Sequence, residues 1–154
     1  MQDKYYDDSY DVAQTVRERH REAAENSLTR EEYGLLIDSE WVESEDGEDG
    51  VAVDPTTGET LATIQVGTST DVDRAVEAAQ RALDGAWGQR SRTQRGEKLD
   101  ESAARLEDMQ TELARLESLE GGNPNMRSRF VDVEIVVEQF RHLAAVARTA
   151  DTGR

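Results

Sequence analysis

Two histidines, His20 and His142, are the side chains of this 154-residue sequence best suited to proton transfer near neutral pH. A histidine base needs a nucleophile to activate, and candidates are scarce. The chain has no cysteine, which removes thiolate catalysis, thiolate metal sites and disulfides together. No Gly-x-Ser-x-Gly elbow presents a serine. The two histidines fall on separate predicted helices, so both are read as surface or packing residues. Carboxylates are so abundant that a paired-acid mechanism cannot be told from a solvated surface.

Phosphate and metal chemistry fare no better. The chain contains neither a GxGxxG nor a Walker-type phosphate loop, and no HExxH zinc helix. Gly121-Gly122 could cradle an anion, but no strand is predicted before it and a helix stop fits better. The run "ESEDGEDG", residues 43–50, joins carboxylates to Gly47 and Gly50 and invites a calcium reading. The EF-hand spacing fails, because Gly47 falls where a ligand is needed and no glutamate closes the loop at the required distance. A plain solvated loop is expected. No catalytic, cofactor-binding or metal-ligating residue is assigned.

The totals limit partners as well. Asp and Glu number 34 against 18 Lys and Arg, a formal charge of -16, and all the basic residues except Lys4 and Lys98 are arginines. Phosphate backbones and anionic membranes require a cationic patch, so neither nucleic acid nor a lipid surface is an expected partner. Leu, Ile, Val and Phe supply only 29 of the 154 residues. That share with that charge lies at the compositional edge of disorder, yet the apolar residues recur at helix and strand periods. Both facts fit an acidic, halophilic protein of the haloarchaeal type, folded in molar salt, where the Debye length is about 3 Å. No apolar run approaches the roughly 20 residues that span a bilayer, and "MQDKYYDDSY" lacks the features of a signal peptide, so a cytoplasmic location is expected.

The elements follow from the periodicity. Residues 10–27 predict a first helix, capped by Asp8 or Ser9, with a narrow stripe of Val12, Val16 and Ala23. "LLIDSEWV" (35–42) predicts two short arms about a tight turn at Asp38-Ser39, offering Leu36, Ile37, Trp41 and Val42 for burial. Val51 and Val53 begin a strand, Pro55 and Gly58 make a turn, and "ETLATIQV" returns. Ser69 or Thr70 is expected to cap a helix with Asp71 and Asp73 in its first turn, one face of Val72, Val76, Ala79 and Leu83, and a stop at Gly85. After Trp87, Ser91 or Thr93 opens a longer helix to Leu119 with Leu99, Ala103, Leu106, Leu113 and Leu116 inward. Gly121-Gly122-Asn123-Pro124 ends it. A last helix over 126–148 carries Phe130, Val133, Val137, Phe140, Ala144 and Ala147 at three- and four-residue steps.

Taken in order, "YGLLIDSEWVES", "VAVDPTTGETLATIQVGTSTDVDRAVEAAQRAL", "WGQRSRTQRGEKLDESAARLEDMQTELARLESLEGGNP" and "FVDVEIVVEQFRHLAAVAR" resemble the N-terminal part of the NAD(P)-dependent aldehyde dehydrogenase superfamily. The hairpin, the NPxTGE turn (Asp54 to Glu59 here), the DVdxAVxxA helix (71–79) and the E-T-x-x-x-G-K-P corner ("ESLEGGNP") occur with near-family spacing. Departures are Asp38-Ser39, where a glycine is usual after the Asp, Asn123 in place of the corner lysine, and "FRHLAAVAR" in place of an aromatic-rich version. The resemblance places Glu120 where some members hold a monovalent cation, although a solvated side chain is the reading preferred here.

The resemblance implies an α/β family fold of which this chain forms an incomplete part of the nucleotide-binding domain. That part is mainly α-helical with an N-terminal β-hairpin and short antiparallel strands. Residues 1–32 would be an acidic helical extension, 33–148 the dehydrogenase-like segment and 149–154 a tail. It implies soluble dimers or tetramers that oxidise aldehydes to carboxylic acids with NAD or NADP. The cysteine nucleophile, glutamate base, dinucleotide site and subunit-pairing strand lie beyond the matched part. The expectation is a truncated dehydrogenase that binds no cofactor and is inactive alone. The alternative is an interaction module, self-associating or pairing with a complementing dehydrogenase chain. A free-standing acidic helical protein with an accidental likeness is the third reading.

Overall fold

The computed structural model describes residues 12–149. The elements run α1 (Val12–Ser27), β1 (Glu32–Tyr33), β2 (Leu35–Ile37), β3 (Glu40–Val42), β4 (Asp49–Val53), β5 (Thr60–Gln65), α2 (Ser69–Asp84), α3 (Arg92–Asp108), α4 (Gln110–Gly121), α5 (Asn125–Arg127), a π-helical turn (Ser128–Asp132) and α6 (Val133–Thr149). Helices dominate and the strands are short. The expected caps Asp8 and Ser9 lie outside the described residues.

The hairpin forms as expected. Asp38 and Ser39 take φ of 56° and 66°, the doubly left-handed pair of a tight two-residue turn, and Leu36 faces Trp41 across the strands. The offered burial is only partly used: Ile37 and Val42 are half-buried, while Leu36 and Trp41 stay exposed. Trp41 meets Tyr33 edge-on at 5.9 Å and carries the Arg30 guanidinium over its ring at 5.0 Å. β4 and β5 pair antiparallel, and β4 starts at Asp49, inside the stretch expected to be loop. β1, a strand with no period of its own to announce it, adds in parallel at the other edge of β5.

Three helix expectations need correction. α2 is capped by Thr68, not by Ser69 or Thr70. Thr68 and Asp71 form a reciprocal capping box, and Asp71 is already held from the 43–50 loop, which fixes the helix start one residue earlier. The long helix expected from Ser91 to Leu119 is two. Ser91 does cap α3 with Gln94, but Met109, at φ -91° and ψ 6°, turns the chain before α4. The turn lets α3 lie along α6 while α4 packs against α1 and the π turn. The last helix is likewise interrupted, by the π turn. A residue inserted into the helical count rotates the residues before it relative to those after, so Phe130 is 55% exposed while Val133, Val137 and Ala144 are buried.

The core is small. Ala103, Ala114, Val133 and Val137 form it, with Leu106, Leu113 and Phe140 packed against it. The α3–α6 contact approaches closely at Gly96, where a Cβ would sit 2.8 Å from the Ala144 carbonyl oxygen. By contrast the predicted apolar face of α2 finds no cover: Val72, Val76 and Leu83 are all more than half exposed. Among the described residues no helix is long and apolar enough to cross a membrane.

Candidate functional site

The β4–β5 turn builds the most organised polar cluster around α1. Asp54 accepts hydrogen bonds from its own turn, from the Thr56 N–H at 2.8 Å and the Thr57 hydroxyl at 3.0 Å. The Gly58 N–H closes the turn on the Asp54 carbonyl at 2.8 Å, with Gly58 at φ 75°, which a side-chain-bearing residue rarely adopts. His20, from α1, brings Nδ1 to within 2.7 Å of Asp54 Oδ2. Asp54 is 1% exposed. Burial pushes its carboxyl up, but the Thr56 N–H, His20 and the Thr57 hydroxyl outweigh it and hold the group below the ordinary carboxylate range. Arg21 reaches Glu59 at 2.9 Å beside this pair, where both side chains are exposed. A cleft of about 570 Å³ opens there between α1, residues 28–31 and the turn.

A second buried carboxylate organises the start of α2. Asp71 takes the Ser44 hydroxyl at 2.6 Å, the Thr68 N–H at 3.0 Å and hydroxyl at 2.9 Å, the Glu45 N–H at 3.3 Å and Arg74 Nη1 at 3.0 Å. The Ser44 hydroxyl and the Thr68 N–H lead these contacts in pulling its carboxyl far below the usual range. Gly47 explains itself here. A Cβ would collide with Ser44 and with the Val66 carbonyl, so the glycine serves close approach in this loop.

His20 thus has an orienting carboxylate, half of a base dyad, and the described residues lining the cleft bring it no serine. The cleft is lined by threonines, of which Thr57 spends its proton on the same Asp54. His142 is exposed on α6 and Glu120 is exposed at the end of α4. Gly121 ends α4, and Gly122, at φ 68°, is its left-handed stop. Among the described residues no group of three or more His, Asp or Glu gathers as a metal site. The His20–Asp54 pair, 34 residues apart, left no local signal; Asp54 read as a turn residue and His20 as one polar position of a helix.

A dinucleotide pyrophosphate would need free N–H groups at a strand-to-helix junction. Among the described residues β5 to α2 is the one such junction. At its helix start the Thr68 and Asp71 N–H groups are taken up by the capping box, and the Asp71 carboxylate there repels an anion. This junction does not fit a dinucleotide pyrophosphate.

Among the described residues, a helical layer on a three-stranded mixed sheet and a two-stranded hairpin defines this chain as part of an α/β architecture. The model of the aldehyde dehydrogenase family matches residues 41–154, and the chain belongs to that family. It is 35% identical over 80% of its length to aldehyde dehydrogenase (NAD(P)+) 1 of Saccharomyces cerevisiae, covering 24% of that protein. To human retinal dehydrogenase 2 it is 36% identical over 73% of its length, covering 22% of the relative. Among solved structures, an aldehyde dehydrogenase from Bacillus cereus superposes on 82% of this chain with a TM-score of 0.78 and 28% identity, and 26% of it is covered. Betaine aldehyde dehydrogenase from Staphylococcus aureus, in complex with NAD+, gives 0.76 and 30% identity over 85% of the chain and 26% of its own. The chain spans about a quarter of the length of the relatives it matches. A likeness this extensive excludes the accidental reading.

Proposed function

We propose that these 154 residues are a non-catalytic segment of an aldehyde dehydrogenase unit, whose role is to pack against the sheet that carries cofactor and nucleophile. The family activity, NAD(P)-linked oxidation of aldehydes to carboxylic acids, then belongs to the completed unit. One observation carries this reading: the chain has no cysteine to attack an aldehyde. The polypeptide works in a high-salt cytoplasm, as its charge of -16 suggests. Purified free of host enzymes and supplied with NAD+ or NADP+ and short aliphatic or aromatic aldehydes, it should give no increase in absorbance at the reduced-nicotinamide band. Calorimetry should register no stoichiometric binding of either cofactor. Aldehyde-dependent reduction, or one-to-one cofactor binding, overturns the proposal.

The second reading, an interaction module, is favoured by the uncovered faces. Ile64, Val66, Val72, Val76 and Leu83 sit on β5, the segment after it and α2, and are 39% to 61% exposed. The occupant that suits them is a chain supplying the remaining three quarters of the dehydrogenase fold, with a second copy of this chain as the substitute when that is absent.

A further inference from the structure

Helix α1 lies before the segment matched by the family model, at residues 41–154, yet it is docked onto that segment. Its docking is narrow. The 570 Å³ cleft opens on one side of His20, and on the other a gap of about 280 Å³ separates Arg19, His20 and Ala23 from Thr111, Arg115 and Leu119 of α4. His20 therefore stands on the ridge between two openings. The apolar seating is narrow: Val16, Ala23 and Ala24 are half-buried, Leu119 of α4 beside Ala23 is 2% exposed, and Ser27, the one buried described residue of the helix, has a hydroxyl with no hydrogen-bond partner. A second ion pair, Arg21 with Glu59, is solvent-exposed on both sides and holds weakly. The α1 contact that reaches a fully buried group is the 2.7 Å one from His20 to Asp54, a carboxylate removed from water.

The other end of that contact does not depend on it. With His20 gone, Asp54 still accepts from the Thr56 N–H and the Thr57 hydroxyl, so the turn keeps its internal hydrogen bonds. The main core, formed by Ala103, Ala114, Val133 and Val137, contains none of the described α1 side chains. We propose that α1 is a releasable strap, fastened to the dehydrogenase segment chiefly by His20 on Asp54, which lifts off as a unit while the 54–59 turn and helices α3 to α6 stay folded. Release uncovers Arg115 and Leu119 of α4, which line the gap beneath α1.

Hydrogen exchange followed by mass spectrometry on the full chain, in about 2 M KCl to screen its charge, tests this. In His20→Ala the amides of residues 12–27 should exchange about tenfold faster or more, the effect of losing a hydrogen bond to a buried charged group. Those of α3 and α6 should change less than about twofold. Arg21→Ala should leave α1 nearly unchanged, and His20→Gln, which keeps a side-chain donor, should recover part of the protection. Unaltered exchange of α1 in His20→Ala overturns the proposal. So does a rise shared equally by α1, α3 and α6, which makes α1 an integral layer. If His20→Ala does not fold, the unsubstituted chain decides: α1 must open well before α3 and α6, and equal protection of all three refutes a strap.

Discussion

At the scale of single residues, two buried aspartates, Asp54 and Asp71, organise the polar architecture. Asp71 is the more heavily ligated: the Ser44 hydroxyl, the Thr68 N–H and hydroxyl, the Glu45 N–H and Arg74 converge on it. With its carboxyl held far below the unfolded value of 3.8, the folded protein keeps the group ionised while the unfolded chain takes up a proton. Its stabilising contribution is therefore complete above about pH 4 to 5 and is lost as pH falls towards the lowered folded value. Asp54 works in the same direction. Asp71→Asn should lower stability at neutral pH. It should also flatten the acid limb of a stability–pH profile relative to the unsubstituted chain, both followed by circular dichroism in high salt. An acid limb as steep in Asp71→Asn as in the parent would show that other carboxylates govern acid unfolding. Exposed pairs such as Arg81–Asp38, 3.1 Å apart, should contribute little by comparison.

At the scale of elements, the helix pair α3–α6 supplies the main packing and Gly96 sets its distance. Replacing Gly96 by Ala pits two known effects against each other. Helix propensity favours Ala by about 1 kcal/mol. Against that, the new methyl meets the Ala144 carbonyl oxygen at 2.8 Å, a backbone atom that moves only if α6 moves, and overpacking of this kind costs about 1 to 3 kcal/mol. The expected result is a net loss of about 1 kcal/mol, seen as a lower midpoint in denaturant titration. A gain in stability would mean that α6 shifts away freely. The interrupted helices follow the same logic. Heptad-like spacing through Phe130 and Val133 looked continuous in sequence, and only packing against α4 shows that a π turn takes Phe130 off the buried face.

At the scale of the whole molecule, charge and uncovered apolar surface oppose each other. Self-repulsion from a formal charge of -16 acts on a core whose largest fully buried side chains are Val137, Asp54 and Ser128, two of them polar. Far-UV circular dichroism between 0.05 and about 3 M KCl should therefore show helicity rising steeply as the charges are screened. A flat, fully helical signal over that range refutes salt-dependent folding. Once folded, the chain should minimise the wetting of Val66, Val72, Val76 and Leu83, each worth about 1.5 to 3 kcal/mol if fully buried. Light scattering in high salt should find a species larger than a monomer, or a hydrophobic dye should bind strongly. A compact, dye-silent monomer would mean that these faces need no partner, and the interaction reading would fall.

Much was legible in the sequence alone because it is governed by local chemistry. The hairpin turn at Asp38-Ser39, the Pro55–Gly58 turn, the Ser91 cap and the Gly122 stop are short-range consequences of residue type. The order of those pieces carried the family. The absence of cysteine is a property of composition and needs no coordinates. Tertiary structure decided what depends on residues distant in the chain: β1 joining β5, Thr68 chosen over its neighbours because Asp71 is shared with Ser44, the break at Met109, and His20 meeting Asp54. Local propensity sees one segment at a time. These contacts are set by how whole segments pack, where a buried carboxylate takes whichever donor the fold brings to it.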